Sequence, residues 1–128
     1  SQMDSGMFKP LQLAAVEALN QSPEWFEELN SEYVRRRVAA GRIFKTLGAV
    51  YDHDTAGLFL WGRVPSEYAG NGMTAGEVLS ERVLRQAGVF ITPGFIFGKN
   101  GNDYIRISLC AKPEVLDRAN KEIEKVID

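Results

Sequence analysis

A chain of 128 residues, 45% hydrophobic and 25% charged, has the length of one domain and can bury roughly two thirds of its unfolded surface. That balance excludes a disordered chain, and no apolar run approaches the length of a membrane-crossing helix. A net charge of −2 with a pI near 5.5 argues against a nucleic-acid backbone as partner.

Pro10 followed by Leu11, Ala14, Ala15, Ala18 and Leu19 predicts a short first helix stopped by the polar Asn20-Gln21. Ser22 is placed to cap a second helix, with Pro23 at its first position. Phe26, Leu29, Tyr33, Ala40, Phe44 and Leu47 recur on one packing stripe of that helix until Gly48 ends it. Arg35-Arg36-Arg37 falls within the same helix and reads as part of its surface. Asp52-His53-Asp54 reads as a solvated turn, because one imidazole between two short carboxylates lacks the paired ligands of a metal site; none is expected there. Gly57 to Gly62 predicts a strand buried on both faces or covering a cleft floor. Trp61 lies within it, either in the core or as the wall of a substrate pocket.

Residues 67–73 hold two glycines and an asparagine and predict a loop able to serve as a mobile flap. Thr74 and Glu77 make a capping box that opens a helix with Val78, Leu79, Val83 and Leu84 on one face and Gly88 at its end. Val89-Phe90-Ile91 then predicts a short strand, Pro93-Gly94 a turn, and Asp103 to Leu109 a longer strand pairing with the first. Cys110 is expected at a buried or half-buried strand end. As the sole cysteine it cannot form an intrachain disulfide, which points to a reducing compartment and hence the cytoplasm. A last helix from Pro113 turns Val115, Leu116, Ala119, Ile123, Val126 and Ile127 inward. The sum is a single α+β domain over residues 1–128, with a small, mainly antiparallel sheet packed with helices.

Arg106 is the main chemical candidate. Along Tyr104-Ile105-Arg106-Ile107-Ser108-Leu109 alternate side chains point to opposite faces, so Ile105, Ile107 and Leu109 face a core while Tyr104, Arg106 and Ser108 face away. A guanidinium on a rigid strand presents a planar fork of donors suited to a carboxylate. The same position also suits a solvated arginine or one paired with Asp103.

Gly88-Val89, Pro93-Gly94, Phe97-Gly98, Gly101 and Tyr104-Ile105-Arg106-Ile107-Ser108 resemble the C-terminal signature of pyridoxal-phosphate aminotransferases of fold type I. Asp4-Ser5-Gly6-Met7-Phe8, with Gln12, Ala14-Ala15 and Ala18-Leu19, is similar to the segment that follows the cofactor-binding part of these enzymes. Leu58-Phe59-Leu60-Trp61 with Pro65 resembles their small-domain strand. The resemblance spans nearly the whole chain. It implies a substrate-binding small domain of an amino-acid aminotransferase, with Arg106 gripping the substrate carboxylate and Trp61 as a pocket wall. It also implies that pyridoxal 5'-phosphate is bound by a large domain outside this chain. None of the six lysines stands in the serine- and glycine-bearing context of the family's catalytic lysine, so the chain alone is expected to be inactive. The implied partners are amino-acid and 2-oxo-acid substrates, with a homodimer as the full-length enzyme and neither nucleic acid nor membrane. Two other readings stay open: a stand-alone amino-acid-binding or regulatory module, and the small domain of a pyridoxal-phosphate lyase or decarboxylase of the same fold.

Overall fold

A computed structural model describes residues 9–127. Four helices and a four-stranded sheet follow in the order α1 (Lys9–Leu19), α2 (Pro23–Leu47), β1 (Val50–Tyr51), β2 (Phe59–Arg63), α3 (Ala75–Ala87), β3 (Thr92–Pro93), β4 (Tyr104–Ser108) and α4 (Pro113–Glu124). The spatial strand order is β1-β2-β4-β3, and every neighbouring pair is antiparallel. The α+β architecture expected from the sequence is thus present. The chain forms two compact units, Ser1–Glu32 and Tyr33–Asp128. The predicted motif at Asp4 to Phe8 lies outside the described residues.

In the first unit α1 takes its predicted span, yet none of its residues is buried, and Leu11, Leu13, Val16 and Leu19 are all exposed. The start of α2 is chemically explicit, because the Trp25 amide donates to Ser22 Oγ at 3.3 Å and Pro23 occupies the first helical position, where no backbone donor is missed. The predicted stripe is half right. Ala40, Phe44 and Leu47 are buried, whereas Phe26 and Leu29 are exposed, and Trp25 meets the Phe26 ring edge-on at 4.9 Å. Helical periodicity defines a face but not what covers it.

The second unit carries the core. One face of the sheet, built from Leu60, Ile105 and Ile107, packs on Ile43 and Phe44 of α2, Leu79 and Val83 of α3, and Leu116 and Ile123 of α4. Gly62 makes that packing possible, since a Cβ there would stand 3.0 Å from the Phe44 ring. Burial along β2 alternates instead of being continuous: Leu60 and Gly62 are buried, while Phe59, Trp61 and Arg63 are exposed. The expectation of a strand buried on both faces therefore fails, because the helices cover only one side.

Local signals placed α3 well. Thr74 Oγ1 accepts from the Glu77 amide at 3.2 Å, and Gly88 closes the helix at φ 70°, a left-handed value that glycine adopts without strain. Thr74→Ala should cost about 1 kcal/mol and Thr74→Ser should restore most of it, read from thermal melts followed by circular dichroism. Within the helix Leu79 and Val83 are fully buried, but Leu84 is 45% exposed, one position too far round to face the sheet.

Residues 67–73 form a loop, as expected, overlapping a 3-10 turn at Ser66–Tyr68 and closed by two backbone bonds between Gly70 and Met73. Other segments differ from expectation. Val89-Phe90-Ile91 does not form the short strand; pairing moves to Thr92–Pro93. There the Ile91 carbonyl accepts from the buried Ser80 hydroxyl, and Pro93, lacking an amide hydrogen, sits on the sheet edge where none is needed. Cys110 is exposed rather than buried, because the chain turns after β4 with the Cys110 amide donating to Ser108 Oγ. Val115 is likewise exposed, while Leu116 and Ile123 are buried. Asp52-His53-Asp54 is an exposed turn as read, with the Asp54 amide donating to Asp52 Oδ1 at 2.9 Å and His53 packing on Tyr51 at 4.3 Å. The arginine run is not an open basic face. Arg36 donates to the Leu109 carbonyl at 3.0 Å and Arg37 to the Gly57 carbonyl at 2.7 Å.

Candidate functional site

The uncovered face of the sheet gathers the chemistry. β4 alternates as predicted, Ile105 and Ile107 going under and Tyr104, Arg106 and Ser108 standing on the open side. Arg106 pairs across the sheet with Trp61 of β2 on one side and Thr92 of β3 on the other. A position between two antiparallel neighbours is as rigid as this fold offers. Trp61 is 39% exposed and stacks on Tyr104 at 5.1 Å with a 15° angle between rings. The two predicted site residues, Arg106 and Trp61, are therefore brought together by the strand register.

Two further residues belong to this cluster. Arg106 Cζ lies 4.0 Å from the Phe59 ring centroid and 4.4 Å from that of Phe97, and Phe97 also meets Trp61 edge-on at 6.0 Å. Among the described residues Arg106 has neither a hydrogen bond nor an ion pair, and the expected alternative partner Asp103 does not hold it. Its fork of donors is open above a wall of aromatic rings. The Phe59 signal was present in the sequence, two positions before Trp61 and hence on the same strand face. Phe97 was marked in the sequence only as part of the family signature; no local pattern placed it beside Arg106, and it arrives from the connection between β3 and β4.

That connection is two 3-10 turns, Gly94–Phe97 and Lys99–Gly101. Gly94 and Gly101 are pressed together so closely that a Cβ on either would strike the carbonyl of the other. Gly76 at the start of α3 similarly admits the Tyr104 carbonyl where a side chain would stand. These are packing glycines. A cavity of about 500 Å³ lies elsewhere, lined by Val38, Arg42, Lys45, Tyr51 and His53 among others and by none of the Arg106 cluster. Its Arg42 is already paired with Asp117 at 2.8 Å.

An antiparallel α+β domain that presents an arginine with open donors among aromatic rings has the chemistry to receive a carboxylate. Its sequence matches the family model for class I and II aminotransferases over residues 2–123, and the chain belongs to that family. It is 35% identical to an LL-diaminopimelate aminotransferase of Oleidesulfovibrio alaskensis over 94% of this chain and 30% of the relative. It is 32% identical to another from Moorella thermoacetica over 99% of this chain and 31% of the relative. The aromatic aminotransferase from Pyrococcus horikoshii superposes with a TM-score of 0.71 at 32% identity, covering 90% of this chain and 30% of that one. The chain thus spans about a third of the length of the relatives it matches.

Membership implies pyridoxal phosphate in general. That cofactor requires a desolvated lysine, an acid for its ring nitrogen and a cluster of phosphate donors. All six lysines are exposed, and the side chains around Arg106 are aromatic. The described residues do not fit the cofactor. No helix among them is long and apolar enough to cross a membrane.

Proposed function

We propose that this chain is the substrate-binding small domain of an amino-acid aminotransferase, an enzyme that moves an amino group from an amino acid to a 2-oxo acid. The observation that carries the reading is Arg106, held on an internal strand with every donor unclaimed by a described residue. Pyridoxal phosphate and the lysine that works with it belong to the remainder of the enzyme. The apolar side chains open on α1 support such a remainder, since a surface of that kind is normally covered.

Arg106 would receive the substrate carboxylate through two parallel N–H···O bonds, fixing the orientation of the adjacent reacting carbon. The amino acid and the 2-oxo acid both carry a carboxylate at that carbon, so one arginine serves both halves of the exchange. Phe59, Trp61 and Phe97 line the approach and, once the site closes, keep water from the ion pair, which strengthens it. Trp61 forms part of the pocket wall. A clamp of this kind also favours transfer over decarboxylation. It stabilises the carboxylate before reaction, and that charge would have to be given up on loss of carbon dioxide.

The test uses an intact protein carrying this chain, offered a panel of amino acids with a 2-oxo acid. Stoichiometric appearance of the new amino acid and the new oxo acid is the expected result. Release of carbon dioxide or of an elimination product instead would assign a decarboxylase or lyase. Tight calorimetric binding of a free amino acid by the 128-residue chain alone would assign a self-sufficient binding module.

A further inference from the structure

We propose that Phe97, together with Phe59, positions the Arg106 guanidinium, and that the connection pinned by Gly94 and Gly101 serves to hold the Phe97 ring in place. The proposal rests on the reading of Arg106 as the carboxylate clamp. A strand fixes the Cα of an arginine but not its head, which swings on a long flexible stem and must be ordered before it can grip anything. Arginines are commonly ordered by an acid, as Arg42 is by Asp117 and Arg85 by Glu81. An acid on Arg106 would neutralise the charge and occupy the donors a ligand needs. Aromatic rings avoid that conflict, because they attract the cation through its face and leave its N–H edge free.

The two rings reach the arginine by different routes. Phe59 sits on β2 in register with Ser108, so it lies diagonally across from Arg106 and the sheet fixes it. Phe97 ends the 3-10 turn Gly94–Phe97 and depends on that turn for its place. The turn is anchored where Gly94 meets Gly101. A Cβ on Gly94 would strike the Gly101 carbonyl and come within 2.8 Å of Trp61 Cη2 and 2.9 Å of Tyr104 Cβ. Gly98 leaves the turn at φ 126°, which releases the chain directly behind the ring. Phe97 is itself 53% exposed, a poor use of a phenyl ring for core packing but a sufficient one for orienting a neighbour. Ordered head, open donors and an exposed ring together describe a pre-organised clamp.

Phe97→Leu removes the π face while keeping apolar bulk; Phe97→Tyr restores the face. The first measurement is the Arg106 Nε–H resonance in the full 128-residue chain, assigned by its loss in Arg106→Lys. Phe97→Leu should move it downfield toward the position of a free arginine with the melting temperature unchanged, and Phe97→Tyr should return it. In the intact protein Phe97→Leu should raise KM for the amino acid roughly 3- to 10-fold, with kcat within about twofold. Gly101→Ala should shift the same resonance the same way. An Arg106 resonance unmoved by Phe97→Leu, or unrescued by tyrosine, overturns the proposal. So does an unmoved KM in a protein that loses activity with Arg106→Ala, while a silent Gly101→Ala overturns the role given to the glycine contact. If Arg106→Ala itself leaves kcat/KM intact while Phe97→Leu still frees the resonance, the clamp reading falls and the positioning of Arg106 stands.

Discussion

In an intact protein carrying this chain, Arg106→Ala is expected to lower kcat/KM for its amino-acid substrate by roughly 10²- to 10³-fold, about 3–4 kcal/mol of lost transition-state binding. The magnitude follows from leaving a substrate carboxylate in an apolar, ring-lined site with no counter-charge. Both KM and kcat should suffer, since in the proposed function Arg106 would hold the carboxylate before and during reaction and so align the reacting carbon. Unfolding would not explain the loss. The side chain makes no hydrogen bond or ion pair among the described residues, and its two ring contacts contribute only about 0.5–1 kcal/mol each. Arg106→Lys should recover part of the binding but not the alignment, because a single ammonium cannot reproduce the fork. Added guanidinium ion should partly rescue the alanine variant and leave the lysine variant unaffected. Unchanged kinetics in Arg106→Ala would remove this residue from the site.

Phe44→Ala should be the most destabilising single truncation in the second unit, at about 3–5 kcal/mol. Phe44 is fully buried, tilts against Tyr51 at 5.1 Å between ring centroids and fills the space that Gly62 leaves under β2. Its removal opens a cavity directly beneath the strand that carries Phe59 and Trp61. A fall in melting temperature of roughly 10–20 °C is expected for a chain of this size. Phe44→Leu should lose less, since part of the volume is kept. A fall below about 3 °C for the alanine variant would mean that the helix and sheet close over the gap. In that case the tight fit between Phe44 and Gly62 would not be what holds α2 to the sheet.

What the sequence determined by itself was whatever depends on neighbours along the chain. Ser22 with Pro23, Thr74 with Glu77, and the glycines at 48 and 88 set helix ends because a cap or a left-handed residue acts within one turn. The period of two through Tyr104–Ser108 was enough to put Arg106 on the face opposite Ile105 and Ile107. A family resemblance covering most of the chain implied a carboxylate-binding role for that arginine. Tertiary structure decided everything that needs a partner from elsewhere. Phe26 and Leu29 continue the same stripe as the buried Phe44 and Leu47 and are nonetheless exposed, because periodicity cannot say where a covering layer stops. The strand expected at Val89-Phe90-Ile91 formed at Thr92–Pro93, where β4 offers its hydrogen bonds. Phe97 reached Arg106 because two glycines 7 residues apart in the chain are pressed backbone to backbone, and no local pattern encodes a contact that closes a loop. The arginine was legible in the sequence; the rings that hold it were set by loop closure and strand register.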